Sequence, residues 1–290
     1  MKPFVTYAIA AIAALSLTNG AIAQDIAQAD PADLASTELA TTAQDTTPIA
    51  LRIDPSKNVI LRYDIRAGVQ ARPAYFGSDE MVAAPDFALH FDYARLKGLG
   101  AYGDPDGNSV PRALGIRGSL RFIGKRSADD FDELKGLEDI DPSLELGLGL
   151  VYRQRNFEAF GDVRYGAIGH NGFVGELGAD AIVFPSERWE FRLGPRMVFG
   201  DDEFANTYFG VSDSESIDSG LASYNADGGL LGAGFEAKAK YRFNELWGLE
   251  ASFRADRLLN SAADSPITEM GSEDQFRIRL GITRELVLQF

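Results

Sequence analysis

Phe276-Arg277-Ile278-Arg279-Leu280-Gly281-Ile282-Thr283-Arg284-Glu285-Leu286-Val287-Leu288-Gln289-Phe290 closes the chain, and its reading decides the fold. Phe276, Ile278, Leu280, Ile282, Leu286, Leu288 and Phe290 share one parity. Arg277, Arg279, Gly281, Thr283, Glu285 and Gln289 share the other, with Val287 the apolar exception. A strand sends successive side chains to opposite faces, so this run has one greasy and one polar face. A soluble β-sandwich strand also alternates, but one this long and apolar at an edge invites aggregation. Closure into a barrel in lipid removes that hazard, and apolar-out, polar-in alternation is how a membrane strand reads. Arg284 falls on the apolar parity. It either snorkels to the headgroups or sits beyond a bulge that shifts the phase.

The same alternation runs back through the chain. It appears at 59–69, 87–93, 114–122, 144–152, 157–165, 173–183, 189–199, 231–243 and 247–253. With the last run that makes ten strands, and Gly98–Tyr102 and Phe204–Val211 are candidate extra ones. Single-chain bacterial barrels have even strand numbers, so the expectation is an all-β, transmembrane antiparallel β-barrel of 10–12 strands. Tyr63, Tyr93, Phe122, Tyr152, Tyr165, Trp189, Phe199, Tyr241, Phe243 and Trp247 gather near strand ends, as interfacial girdles do.

The amino terminus points to export. Lys2, the apolar run Phe4 to Leu17 and Ala21-Ile22-Ala23 before Gln24 read as a signal peptide over 1–23. Residues 24–57 are rich in Ala, Thr, Asp and Gln and have no aromatic residue. They read as an acidic, disordered periplasmic tail, with a weak candidate strand at Ile49–Ile53. The barrel then occupies 58–290. The chain has no cysteine, which rules out disulfides, thiolate metal sites and a lipid-anchored cysteine. A formal charge of −15 argues against a nucleic-acid partner, which wants a basic face. These features together fit the outer membrane of a Gram-negative cell.

Chemistry is sparse. His90 and His170 are the only histidines, and neither has metal-ligand spacing or a serine motif beside it. The acidic pairs Asp129 with Asp130, and Asp201, Asp202 with Glu203, lack the twelve-residue spacing of an EF-hand and read as solvated loop charge. No enzyme, cofactor or metal is expected. The inward parity carries both signs: Arg62, Asp64, Arg66, Glu158, Asp162, Arg164, Glu190, Arg192, Glu236, Lys238, Glu250, Arg254, Arg277 and Arg279. Opposite charges in a narrow space should pair and occlude it, which predicts a small or closed pore.

Several segments resemble the MipA/OmpV family. They are Pro73-Ala74-Tyr75-Phe76-Gly77-Ser78, Leu134-Lys135-Gly136-Leu137, Phe204-Ala205-Asn206-Thr207-Tyr208-Phe209-Gly210-Val211-Ser212 and Ser219-Gly220-Leu221-Ala222-Ser223-Tyr224 to Gly228-Gly229. Arg257-Leu258-Leu259 and Asp264-Ser265-Pro266-Ile267 complete the set. The closing Leu-Val-Leu-Gln-Phe departs from the family's Tyr-x-Phe ending but keeps the terminal aromatic. The resemblance implies an outer-membrane barrel in contact with lipid and lipopolysaccharide, assembled by the barrel-assembly machinery with Phe290 as signal. It further implies a scaffold that joins a lytic transglycosylase to a peptidoglycan synthase. A narrow solute channel, or a surface adhesin or stress-response protein, is the alternative. The family offers no established catalytic residues, so none is carried over. Asn206, Tyr208, Phe209, Gly210 and Tyr224 mark a segment that either meets a partner or folds inward as a plug.

Overall fold

The computed structural model describes residues 54, 56–98, 100–103 and 113–290. The expected signal peptide, nearly all of the acidic tail and the candidate strand at Ile49–Ile53 lie outside them.

Alternating sequence becomes strand almost everywhere it was expected. In chain order the strands are β1 (Val59–Pro73), β2 (Met81–Leu96), β3 (Gly100–Gly103), β4 (Ala113–Ile123), β5 (Ser143–Gln154) and β6 (Phe157–Ile168). They continue as β7 (Phe173–Ser186), β8 (Trp189–Gly200), β9 (Gly229–Arg242), β10 (Trp247–Leu258) and β11 (Asp274–Gln289). The sheet order is β3-β2-β1-β11-β10-β9-β8-β7-β6-β5-β4, antiparallel at every step. The last strand therefore closes onto the first, with Gly68 opposite Gly281 and Val69 opposite Leu280.

Ten antiparallel steps separate β3 from β4, so both run in the same direction. β4 also lies against β2 and β3, which brings the sheet round to its own beginning. The described sheet thus has eleven strands, ten of them long and one, β3, of only four residues. The extra strand expected at Gly98–Tyr102 exists as the four residues of β3.

The exposure pattern inverts that of a soluble protein. Outward-facing Leu114, Leu148 and Phe87 are 69%, 68% and 66% exposed, while inward-facing Glu145 is completely buried. An apolar exterior around a charged interior suits a sheet solvated by lipid. Strands of 11 to 16 residues, β3 aside, are long enough to cross a bilayer when tilted. Glycines on the inner face make room for long side chains. A Cβ on Gly281 would sit 2.8 Å from Cγ of Arg66, whose stem lies across the glycine.

Arg284 is resolved in favour of snorkelling. β11 pairs with both neighbours through Arg284 without a register shift, so no bulge changes its phase. The side chain is exposed, and its guanidinium lies 4.8 Å from the ring centre of its cross-strand partner Trp247. Trp247 opens β10 at the barrel rim, where Trp189, Tyr241 and Phe243 also cluster. A cation over an indole at the membrane edge keeps its charge near water.

The two barrel ends differ. At the end that carries the chain terminus, connections are tight: 155–156, 187–188 and 243–246. At the other end run 74–80, 124–142, 201–228 and 259–273, with the shorter 169–172 between them.

One expected strand is corrected. Phe204–Val211 is not extended; it belongs to helix α1 (Asp202–Phe209) and its exit. Its buried residues Phe204, Ala205, Tyr208 and Phe209 repeat at one helical turn, the period of a helix face rather than a strand. Asp201 caps the helix by accepting from the Phe204 amide at 2.9 Å. Helix α2 (Asp213–Ser219) follows, with a capping box between Ser212 and Glu215 and left-handed Gly220 at its end. Helix α3 (Pro266–Met270) lies between β10 and β11.

Candidate functional site

The long connections do not wave in solvent. They fold over one end of the barrel as a packed cap with two apolar clusters. One gathers Val174, Phe204, Ala205, Tyr208, Phe209, Ala226, Leu231, Leu258 and Ala262, with Phe76 against it. The other gathers Ala74, Tyr75, Ala128, Leu134, Leu137, Val211 and Ile267. The family-like segments, far apart in sequence, supply most of both cores.

Each expected site residue has a defined place there. Tyr208 and Phe209 are buried, and the ring of Phe76 packs 5.0 Å from Tyr208, 5.9 Å from Phe209 and 6.1 Å from Phe204. The Tyr208 hydroxyl donates to Ser143 Oγ at 3.0 Å, at the top of β5. Ser265 Oγ donates to the Phe209 carbonyl at 2.6 Å, joining α1 to the start of α3. Asn206 is exposed, but its Oδ1 accepts from the Ala226 amide at 3.3 Å. Gly210 passes so close to Asn206 that a Cβ there would meet its Oδ1 at 2.3 Å. Tyr224 exchanges two 2.8 Å backbone bonds with Val211 and donates its hydroxyl to the Ser261 carbonyl at 2.9 Å. All five residues therefore make contacts within the cap. Phe290 stands apart at the other end, exposed, with its backbone paired to Val59.

Electrostatics hold the same cap. Burial alone would raise the Glu215 carboxyl. Hydrogen bonds from the Glu138 and Ser212 amides and the Ser212 hydroxyl outweigh that, holding it below the usual carboxylate range. The Glu138 bond, at 2.9 Å, ties the 124–142 connection to α2. Burial pushes the Arg126 guanidinium down from its ordinary value, and its Nη1 donates to the Tyr208 carbonyl at 3.3 Å. An open cleft bordered by Glu138, Asp139, Glu203, Asp213 and Glu215 lies on the cap. Among the described residues no group of acidic and histidine side chains is arranged to hold a metal ion.

Beneath the cap the lumen is laced with ion pairs. Arg164 reaches Glu145 at 2.9 Å and Glu176 at 3.2 Å, and Arg254 reaches Glu176 at 2.6 Å. Arg196 bridges Asp180 at 2.7 Å and Glu236 at 3.0 Å, and Arg192 meets Glu158 at 3.1 Å. Arg66 bridges Asp86 and Glu250, and Lys240 crosses to Asp64. Opposite charges on the inward parity do pair, as the sequence leads one to expect.

Sequence reasoning missed the link between lumen and cap. His170 is buried, with Nε2 3.2 Å from Glu145 Oε1 and Nδ1 accepting from the Gly172 amide at 3.0 Å. That acceptor role places the ring proton on Nε2, facing Glu145. Its ring packs 5.0 Å from Phe204 and 5.7 Å from Tyr208. Only its neighbours in space, not in sequence, distinguish it. His90 lies in β2 opposite Asp64, and its side chain is outside the described set.

The chain is similar to several outer-membrane proteins. Solved structures that resemble the chain include the COG4313 outer membrane channel from Pseudomonas putida F1. It is 12% identical, with a TM-score of 0.39, over 82% of this chain and 99% of that one. OprG from Pseudomonas aeruginosa is 12% identical, with a TM-score of 0.27, over 78% and 96%. Among curated proteins, the putative outer membrane protein YiaT of Escherichia coli K12 is 32% identical over 108 residues, 37% of this chain. The match spans 42% of that relative's own length. The family model described as MltA-interacting protein MipA matches residues 65–286, which take in the whole cap and nearly all of the barrel. The chain is an outer-membrane β-barrel protein that belongs to the MipA family.

Proposed function

We propose that this protein is a capped, non-porin barrel that serves as an outer-membrane scaffold where a lytic transglycosylase and a peptidoglycan synthase meet. One observation carries the reading: the segments that mark the family are spent on closing one end of the barrel, and the lumen below is filled with paired charge. A barrel sealed in this way works through its ends. The family description, MltA-interacting protein, supports a murein hydrolase as one partner.

Outer-membrane barrels keep short turns toward the periplasm and long loops outside. By that rule the cap faces the cell exterior and lipopolysaccharide. The periplasmic end then offers the turns at 155–156, 187–188 and 243–246, together with residues 56–58 just before β1. Tyr208 and Phe209 act as plug anchors in this reading, since burial leaves them no surface for a partner.

Crosslinking in cells, followed by mass spectrometry of the detergent-solubilised protein, tests it. A periplasmic murein enzyme joined to the turn-side residues is the expected outcome. Recovery of only lipopolysaccharide and other barrels would overturn the scaffold. Large, steady single-channel conductance in planar bilayers would overturn the sealed lumen. In that event a narrow solute channel, the second reading, gains from Arg277, a partly exposed lumen cation with no counter-charge among the described residues.

A further inference from the structure

We propose that the lumen contains a binding site for a small organic carboxylate, centred on Arg277 just below the cap. The inference stands apart from the scaffold reading, because a bound anion neither requires nor excludes a partner at the periplasmic end.

Arg277 breaks the pattern of the lumen. The arginines Arg66, Arg164, Arg192, Arg196 and Arg254 each hold a carboxylate within 3.2 Å. Among the described residues Arg277 makes no ion pair and no side-chain hydrogen bond, and its Nε is buried without a partner. It lies on the inward parity of β11, between exposed Phe276 and Ile278 on the lipid face. Its cross-strand partner on β10 is Arg254. Like charges directly opposite one another on a sheet repel.

The surroundings deepen the deficit. Arg279, two residues along the same face of β11, adds a second cation, and on β10 Asp256 lies two residues from Arg254. Both Arg254 and Asp256 are already engaged with each other, at 2.6 Å, and Arg254 also holds Glu176. Arg279 has only loose carboxylates, at 3.6 and 3.7 Å, and its Nε too is buried without a hydrogen bond. Two adjacent inward arginines of β11 therefore present unused donors to the same space.

A sheltered cation without a counter-charge is costly unless something supplies one. The planar fork of a guanidinium matches a carboxylate bidentately, which selects that chemistry over a spherical ion.

The test uses the full detergent-solubilised chain and follows the temperature at which the folded band converts to the unfolded one on a gel. The probe is sodium lactate, against sodium chloride at the same ionic strength. Ligand that binds only the folded state raises that midpoint. Lactate should raise it above chloride in the wild type, and in Arg257→Met, whose side chain sits exposed on the rim. The rise should vanish in Arg277→Met, and in Arg277→Gln should the first fail to fold. No rise in the wild type, an equal rise in chloride, or an undiminished rise in either Arg277 variant would overturn the proposal.

Discussion

Removing the ring of Phe204 tests whether the cap is a folded unit or a set of loops. Phe204 is 2% exposed, and its ring lies 4.9 Å from Tyr208, 5.0 Å from His170 and 6.1 Å from Phe76. Truncating a buried phenylalanine to alanine costs about 3–5 kcal/mol, because transfer energy is lost and a cavity remains. The barrel ladder does not run through this side chain, so the cost should fall on local opening of the cap. At about 1.4 kcal/mol per factor of ten, the open population rises by roughly two to three and a half powers of ten. Hydrogen exchange read by mass spectrometry on 201–228 measures it, with β5 to β8 as internal reference. Ile217→Ala, which trims a side chain 83% exposed, should stay within about 0.5 kcal/mol of wild type. Unchanged protection in 201–228 for Phe204→Ala would refute the packed cap. Equal loss across the strands would refute its independence from the barrel.

Three further outcomes are expected. Asp201→Ala removes the acceptor for both the Phe204 and Phe173 amides and should cost about 1–2 kcal/mol of cap stability, seen as faster proteolysis between 201 and 228. Glu215 titrates below its ordinary value in the fold, so its contribution is present above the usual glutamate range, about 4.3, and fades as pH falls through the lower folded value. Exchange protection of α2 should therefore drop on acidification in the wild type and be low and flatter with pH in Glu215→Gln. Deleting Phe290 removes the exposed terminal aromatic and its two backbone bonds to Val59, and should reduce the heat-modifiable, membrane-inserted fraction; equal insertion of the truncated chain would count against its role as an assembly signal.

The barrel was legible residue by residue. Alternation is a local property: the parity of Phe276 to Phe290 alone tells which side chains face lipid, and ten such runs match the ten long strands of the sheet. The acid–base pairing of the lumen followed from the same parity, since inward charges of both signs have only one another to meet. Arg284 stayed open because a snorkelling side chain and a bulge leave the same trace in sequence; only the unbroken register beside Trp247 separates them.

The cap was not legible in that way. Phe204 to Val211 has apolar residues at spacings that fit a short strand or a helical turn, and the choice fell to tertiary partners: Phe76 from the first connection and Ala262 from the last. His170 gave no signal, because its role rests on Glu145 and Phe204, which come together only when two connections fold against the start of β5. Arg277 looked like any other inward arginine. Its lack of a counter-charge is a property of which strand lies beside β11 and in what register. Side-chain direction in a strand is set by the residue's own parity, whereas packing and charge compensation are set by neighbours that the sequence brings from far away.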